Sequence, residues 1–218
     1  MRTSSLVMPR HQRRRRRAPE VARTELLDAA ERVFAKLPPD QVGLKDVAKA
    51  AGTSHGLITH YFGTYDGLVA AALIRRTTAL RERVFVALQD PANLTKPETL
   101  VDMLFDVYQD PVHLRLMNYL IAVENTDSVH ALALQHRGIE QVAARIADAL
   151  RPQGTTQAYR DSIALSLMLA VAAAFGYAAT RHSLAGAIGK PVTDELDRDV
   201  RRTLAEMVQR YIVGGEVS

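Results

Sequence analysis

The chain has 218 residues, no Cys and no Trp, and 47% of its residues are hydrophobic. This length suits one large domain or two small ones, and the composition excludes collagen-like, wholly disordered and disulfide-stapled chains. The absence of Cys also excludes thiolate metal sites and a Cys nucleophile. The net charge of +4 is uneven, because residues 1–23 hold eight Arg and one Glu whereas residues 24–218 hold 20 basic and 23 acidic residues. The pI near 9.5 therefore reflects a short basic tail on a mildly acidic body.

The basic tail, residues 1–18, contains an unbroken run of five arginines, namely Arg13, Arg14, Arg15, Arg16 and Arg17. A run of like charges repels itself and stays solvated, so this arm is predicted to be disordered. Its apolar stretch at residues 6–8 is too short for a secretory signal. Three interpretations remain: a solubilising tail, an organellar transit peptide, or an arm that binds nucleic acid, because Arg suits phosphates and narrow minor grooves. Met8 is an alternative start that would keep the arginine run.

After the tail, apolar residues recur with a period of 3.6 residues, which predicts α-helices. The first helix begins at about Pro19, a residue that suits a first helical turn, and ends before Pro38. Gly, Pro and capping residues divide the rest into further predicted helices at residues 44–51, 55–62, 65–88, 97–109, 112–124, 128–150, 156–184 and 193–212. Because no stretch alternates like a strand, we predict an all-α fold of about nine helices.

Residues 162–180 carry no charge over 19 residues, which is close to the length that spans a membrane. The segment contains Ser162, Ser166, Gly176, Tyr177 and seven alanines, so its hydropathy is marginal. A helix that is apolar on all sides also suits a buried core or an interface between subunits. We therefore predict a buried or interface helix and no membrane span.

Two of the short predicted helices, residues 44–51 and 55–62, are joined by the turn 52–54. The apolar residues that would pack these helices together are Val47, Ala48, Ala51, Ile58 and Phe62. Gly52 permits the left-handed backbone of a tight turn, and Ser54 is placed to cap the second helix. This layout is typical of a helix-turn-helix, in which the second helix enters the major groove of DNA, although other packed helix pairs give a related pattern.

Residues 20–68 resemble the DNA-binding domain of the TetR/AcrR family of bacterial transcriptional regulators. The residues that carry the resemblance are Leu26, Leu27, Asp28, Ala29, Ala30, Val33, Phe34, Asp46, Val47, Ala48, Ala51, Gly52, Thr53, Ser54, His55, Gly56, Phe62 and Leu68. They cover about a quarter of the chain, while the length and the two long C-terminal helices agree with the family in architecture. The resemblance implies an N-terminal three-helix DNA-binding domain at residues 19–65, with its helix-turn-helix at 43–62. It also implies a helical ligand-binding and dimerisation domain at residues 66–218.

The chain departs from the family pattern at four positions. The family often has Thr, Tyr, His and Lys at the places occupied here by Gly43, Thr59, Tyr61 and Tyr65. Residues 24–70 hold four Lys and Arg against six acidic residues, so the helix-turn-helix is poor in fixed positive charge. Phosphate neutralisation must then come largely from elsewhere, which favours the DNA-binding arm among the interpretations of the tail.

The resemblance also implies roles for residues of the helix-turn-helix. Ser54, His55 and Gly56 open the recognition helix, and Gly56 is expected to let the backbone come close to DNA. His55 and Leu57 are expected to point toward base edges. The expected phosphate contacts are Lys45, Thr59, His60, Tyr61 and Tyr65, together with the five arginines of the arm. Packing at the end of a short helix is the alternative for the rings at positions 60 and 61.

For the rest of the chain, the resemblance implies a small-molecule inducer and a homodimer, with repression as the usual mode of action. The apolar helices at 156–184 and 193–212 suit a four-helix interface between two subunits. A two-fold dimer would match a palindromic operator with recognition helices about 34–36 Å apart or somewhat more. The residues suggested for a ligand cavity are Met103, Tyr108, Met117, Asn118, Asn125 and Phe175, although most such residues also suit an ordinary core.

The sequence has no paired-His motif, no Gly-rich phosphate loop and no Gly-x-Ser-x-Gly elbow, so we predict no enzyme, no cofactor and no metal. The rival interpretation is a helical scaffold that uses its arginine tail to bind anionic membranes or RNA without sequence specificity. That interpretation leaves the helix-turn-helix unexplained. The predicted protein is therefore a cytoplasmic bacterial regulator that binds double-stranded DNA.

Overall fold

The structure is a computed structural model that describes residues 19–94, 96–123 and 137–214. Within these residues the chain forms nine α-helices of at least eight residues, a one-turn helix and a 3-10 helix. They are α1 (Pro19–Phe34), the 3-10 helix (Pro39–Gln41), α2 (Leu44–Ala51), α3 (His55–Phe62), α4 (Tyr65–Ala87), the one-turn α5 (Pro91–Leu94), α6 (Pro97–Gln109), α7 (Pro111–Ala122), α8 (Arg137–Leu150), α9 (Gln157–Ala187) and α10 (Asp194–Gly214). The described residues contain no strand, and the all-α fold predicted from the sequence is confirmed.

Three predictions fall partly or wholly outside the described residues. The arginine arm, residues 1–18, lies outside them, and so does Asn125. The helix predicted at 128–150 is described from Arg137 onward, where it forms α8.

The first three helices, the first half of α4 and α7 enclose one hydrophobic core. Its fully buried members include Phe34, Val47, Ile58, Leu68 and Leu73. Ala48 is buried in the same core, and Ala51 and Phe62 pack against it, as the apolar pattern of the two short helices predicts. This core holds α2 and α3 against α1, so the two short helices do not depend on their own weak helix-forming tendency.

Helix α4 connects the helix-turn-helix to the rest of the molecule. Thr64 caps it by accepting a hydrogen bond from the Gly67 amide at 3.0 Å. Its residues from Leu68 to Leu73 are buried in the N-terminal core, whereas the stretch from Ile74 to Val84 lines the body of the protein. One continuous helix therefore belongs to both parts of the molecule.

The body is built from α6, α8, α9 and α10. One apolar cluster joins α8, α9 and α10 around Ile146, Ile163 and Val208. A second joins α6, α9 and α10 around Phe105 and Ala174. The shared use of α9 in both clusters makes it the central helix of this layer.

Helix α9 is 31 residues long and, among the described residues, it is the one helix long and apolar enough to cross a membrane by length and composition. Only 33% of its most apolar window is buried within the chain. Thr180, with φ of −129°, interrupts the helical geometry near its C-terminal end. Core helices of soluble proteins meet the same length and composition criteria, and α9 also contributes to both apolar clusters of the body.

Candidate functional site

The turn between α2 and α3 determines which side of α3 faces outward. Gly52 adopts the left-handed conformation, with φ of 62° and ψ of 36°, which residues with a Cβ resist. The Gly52 amide donates to the Lys49 carbonyl at 3.2 Å, and the Thr53 amide donates to the Ala48 carbonyl at 3.0 Å. Because Ile58 is fully buried, the turn fixes α3 with one side in the core and the other toward solvent.

Most of the residues predicted to contact DNA lie on this outward surface. The exposed ones are Lys45, Ser54, His55, Gly56, Leu57, Thr59 and His60. Leu57 is 38% exposed although it is a large apolar residue. Tyr61 is half-buried and packs against the core, with its ring edge-on to His60 at a centroid distance of 5.3 Å. The structure thus presents the start of α3 as an accessible surface, which is a geometric requirement for a recognition helix.

Tyr65 does not belong to this surface, which corrects the prediction that it contacts DNA. Its hydroxyl donates to the Pro39 carbonyl at 2.7 Å, and its ring packs edge-on against Tyr119. Burial, followed by the neighbouring Tyr119, raises the pKa of the Tyr65 hydroxyl, which therefore stays protonated and bound. Tyr65 thus ties α4 to the 3-10 helix and to α7.

Two further details of the surface differ from the sequence-based expectation or refine it. Ser54 occupies the cap position of α3, but its side chain makes no capping hydrogen bond. The Thr59 hydroxyl donates to the His55 carbonyl at 3.2 Å, so a phosphate contact would require this bond to be exchanged. At the start of α2, the Gly43 amide donates to the Asp46 carboxylate at 2.9 Å, which is the half of a capping box that needs no side chain at the cap position.

Fixed positive charge is sparse on this surface within the described residues. Lys45 and Lys49 are exposed on α2. The guanidinium of Arg23 lies 5.2 Å from the centroid of the Phe62 ring and covers the end of α3. Acidic residues outnumber basic ones across residues 24–70 by six to four. Long-range attraction of DNA to this surface therefore needs charge from another part of the chain.

A second candidate site is an apolar cavity of about 130 Å³ enclosed by α4, α6, α8 and α9. The lining residues are Ile74, Thr77, Thr78, Leu80, Arg81, Val84, Leu100, Leu104, Tyr108, Gly138, Ile139, Val142, Leu167 and Val171. Among the described lining residues, Arg81 is the one that carries a charge at neutral pH, and none is Asp or Glu. The cavity therefore suits a small molecule with a largely apolar surface.

The lining corrects most of the ligand residues predicted from the sequence. Of the predicted residues that the structure describes, only Tyr108 lines the cavity. Four others belong to helix packing or to the surface, namely Met103, Met117, Asn118 and Phe175. Sequence reasoning missed the contribution of α4, although Ile74, Thr77, Arg81 and Val84 recur at the spacing of three to four residues that marks one helix face.

Polar contacts join α1 of the helix-turn-helix to α4 and α7. Arg76 on α4 forms ion pairs with Glu31 on α1 at 3.0 Å and with Asp110, whose carboxylate caps α7. From α7, the guanidinium of Arg115 donates to the carbonyl of Phe34 at 3.2 Å. The Tyr119 hydroxyl donates to the Asp66 carboxylate at 2.7 Å. The N-terminal unit is therefore attached to the rest of the chain by these polar contacts, by α4, and by the buried Leu116 and Leu120 of α7, which lie in its core.

Comparison with known proteins finds matches to the N-terminal unit. The family model described as bacterial regulatory proteins, tetR family, matches residues 26–72. An uncharacterized HTH-type transcriptional regulator from Mycobacterium tuberculosis is 36% identical over 74 residues. The aligned segment makes up 34% of this chain and 37% of that relative.

Solved structures match almost the whole chain. GusR from Salmonella enterica has a TM-score of 0.61 at 20% identity, covering 91% of this chain and 98% of its own. A TetR transcriptional regulator from a Rhodococcus species has a TM-score of 0.60 at 17% identity, covering 88% of this chain and 97% of its own. At such identities the likeness shows the fold. Residues 26–72 therefore match the model of the tetR family of regulatory proteins, and the chain has, over most of its length, the same fold as these two structures.

Proposed function

We propose that this protein is a ligand-responsive transcriptional regulator, a repressor, that binds a palindromic operator as a homodimer in the bacterial cytoplasm. The observation that carries the proposal is the outward surface of α3, which combines exposed His55 and Leu57 with an anchored, fully buried Ile58. A helix held in this way can enter the major groove, where His55 reads base edges and Leu57 contacts a thymine methyl group.

The arginine arm supplies the positive charge that the helix-turn-helix lacks. The arm precedes α1, and its five arginines compare with four Lys and Arg in residues 24–70. Arginine is always charged and binds phosphate or narrow minor grooves. The arm therefore adds affinity that falls steeply with salt, while α3 supplies sequence preference.

The exposed apolar surface of α9 and α10 supports a homodimer. These exposed residues are Leu165, Met168, Leu169, Leu184, Met207 and Tyr211. Six large apolar residues exposed on two helices favour an interaction site, and a second copy of the same two helices would bury them in a four-helix interface. A two-fold arrangement places two α3 helices on one side of the DNA, so the operator has inverted half-sites.

The position of α4 supports ligand control. Its first half is buried in the core beneath α3, and its second half lines the cavity. A ligand that changes the position of α4 would shift the population of dimers whose α3 helices match the spacing of the major groove. Release of DNA on ligand binding follows from that shift.

Selection of bound sequences from a pool of genomic DNA tests the proposal. The selected DNA should contain an inverted repeat and bind roughly 10³-fold or more tighter than random duplex at physiological salt. Equal binding to random duplex, or tighter binding to RNA or anionic vesicles, would instead support the rival scaffold without sequence specificity.

Variants separate the roles of α3 and the arm. Replacing His55 and Leu57 by Ala should reduce discrimination between operator and random duplex, by about 1–3 kcal/mol for each well-formed interaction with a base edge that the variant removes. Gln89→Ala, at an exposed position beyond α4, is the matched control and should leave discrimination unchanged.

Deleting residues 1–17 should weaken binding to all sequences and flatten its salt dependence. If the deletion alters sequence preference alone, the arm reads bases and its phosphate role is wrong.

A further inference from the structure

The cavity between α4, α6, α8 and α9 has a distribution of charge that narrows the class of its ligand. Its wall is formed mainly by aliphatic side chains from four helices, and none of the lining residues that the structure describes is acidic. Arg81 is the one fixed charge in the described part of this wall. A cationic ligand would therefore meet repulsion without a counter-charge, whereas an anionic ligand would find one partner in an otherwise apolar site.

Arg81 is free to serve that role, in contrast to the neighbouring arginines of α4. Arg75 forms ion pairs with Asp28 and Glu31. Arg76 forms ion pairs with Glu31 and Asp110. No carboxylate among the described residues forms an ion pair with Arg81. A half-buried guanidinium that keeps its hydrogen-bonding groups available is well suited to bind a planar anion at two points.

The backbone of α8 allows Arg81 to lie at this place. A Cβ added to Gly138 would stand 3.2 Å from Cδ and 3.8 Å from Cγ of Arg81, so the arginine stem crosses α8 where that helix has no side chain. The side chain is thereby packed along its length between α4 and α8. Such packing reduces the rotamer freedom that the arginine would lose on binding a ligand.

The other polar side chains of the described wall, Thr77, Thr78 and Tyr108, carry no charge. The single proton of the Thr77 hydroxyl is used within α4, because its oxygen lies 3.0 and 2.9 Å from the carbonyl oxygens of Leu73 and Ile74. Burial raises the pKa of Tyr108 to about 12, so this residue is neutral at physiological pH and can donate a hydrogen bond. Arg81 and Tyr108 therefore offer donors to a ligand that carries acceptors.

The size of the cavity limits the apolar part of the ligand. A dry apolar cavity of about 150 Å³ holds a benzene molecule. The present cavity, of about 130 Å³, is of the same order and therefore suits a single ring or a short alkyl chain.

We propose that the ligand is a small organic monoanion, with one ring or a short alkyl chain in the cavity and a carboxylate-type group bound by Arg81. This inference rests on the proposed function only in that the cavity is the ligand site. It adds the chemical class of the ligand and the residue that selects it. Neutral and cationic molecules of the same shape should bind more weakly, because they lack the negative charge that Arg81 attracts.

Titration of the full-length protein with benzoate and with benzamide, its neutral isostere, tests the inference. Calorimetry should show benzoate binding at least about tenfold tighter than benzamide to the unmodified protein. Arg81→Gln should abolish this preference. Arg83→Gln is the matched control, because Arg83 lies two residues further along α4, is exposed and does not line the cavity. Arg83→Gln should retain the preference.

A second variant shows where the anion binds. Val142→Phe fills the cavity from α8 while Arg81 remains, and it should abolish binding of both probes. Equal binding of benzoate and benzamide, no binding of either, or a benzoate preference that survives in Arg81→Gln or Val142→Phe would overturn the inference.

Measurement of DNA binding by the same proteins distinguishes failure of this inference from failure of the proposed function. Arg81→Gln should bind the selected operator as the unmodified protein does, because Arg81 lies in the body and not on α3. Selective DNA binding without benzoate preference would overturn the ligand class and leave the regulator. Benzoate preference without selective DNA binding would overturn the proposed regulator and leave the ligand class.

Discussion

The DNA-facing surface and the cavity differ in how their residues come together. The surface is formed by one short stretch of chain, residues 54–60, with Lys45 beside it. The cavity is formed by residues spread from Ile74 to Val171 on four helices. A surface of the first kind is encoded by a local motif, whereas a cavity of the second kind depends on how separate helices pack. The two sites should therefore respond differently to substitution.

The largest predicted effect concerns the packing beneath the two sites. Phe34 is fully buried under the helix-turn-helix and packs edge-on against Tyr65, at a centroid distance of 6.4 Å. Phe34→Ala should lower the free energy of unfolding by about 3–5 kcal/mol, because it leaves a void in a filled core. Val142→Ala, at the wall of an existing cavity where the side chain is half-buried, should lower it by only about 1 kcal/mol. Urea unfolding of both variants provides the comparison, and equal decreases would show that the cavity wall is packed as tightly as the N-terminal core.

The same contrast explains what could be predicted from the sequence. Gly52 in the turn and Ile58 in the core follow from local spacing, and the structure places both as expected. The limits of α2 and α3 also follow from the Gly residues that flank them. These features depend on interactions between residues that are close along the chain, so a single sequence is sufficient to predict them.

The cavity residues could not be predicted in the same way. Tyr108 is expected in the wall and is found there, but Phe175 packs against it from the side of the core. Which of two large residues borders an empty space depends on the relative position of α6 and α9, and no local pattern records that position. The prediction for Tyr65 failed for a related reason, because its bond to the Pro39 carbonyl joins residues 26 positions apart.

An intermediate effect on stability is expected from substitution of Gly67, whose surroundings leave no room for a side chain. A Cβ at Gly67 would stand 2.2 Å from the carbonyl oxygen of Phe62, so the backbone between α3 and α4 would have to move. Gly67→Ala should lower the free energy of unfolding by about 3 kcal/mol and shift the melting temperature accordingly. It should also weaken operator binding, because the end of α3 is displaced.

Gly56→Ala is the matched control for Gly67→Ala within the same unit. A Cβ at Gly56 meets only the Ser54 hydroxyl, at 3.9 Å, and Ala favours a helix over Gly by about 1 kcal/mol. This variant should raise the melting temperature and still weaken operator binding, if the backbone of α3 approaches DNA at that point. Unchanged operator affinity would show that the DNA stands further from Gly56 than a recognition helix requires.

The smallest predicted effect on stability comes from breaking a polar contact between the N-terminal unit and the body. Arg76 joins Glu31 of α1 to Asp110 at the start of α7, and these groups are partly exposed. Arg76→Gln should therefore lower the free energy of unfolding by only about 1 kcal/mol, since water screens such pairs. Arg202→Gln, which breaks the more exposed ion pair with Asp199 on α10, is the control and should lower the free energy of unfolding by less than Arg76→Gln does.

The effect of Arg76→Gln on regulation should exceed its effect on stability. The ligand-dependent decrease in operator affinity is a coupling free energy between the cavity and α3, and such couplings are typically about 1–3 kcal/mol. If ligand acts by moving α4, part of this coupling passes from α4 to α1 through the Arg76–Glu31 pair. Arg76→Gln lacks that part, so ligand should decrease its operator affinity by less than in the unmodified protein. Its affinity for the ligand should be unchanged. Operator titrations with and without ligand measure the coupling in both proteins. A coupling that is intact in Arg76→Gln would mean that the buried contacts of the first half of α4, around Leu68 and Leu73, transmit the movement without help from the charged contacts.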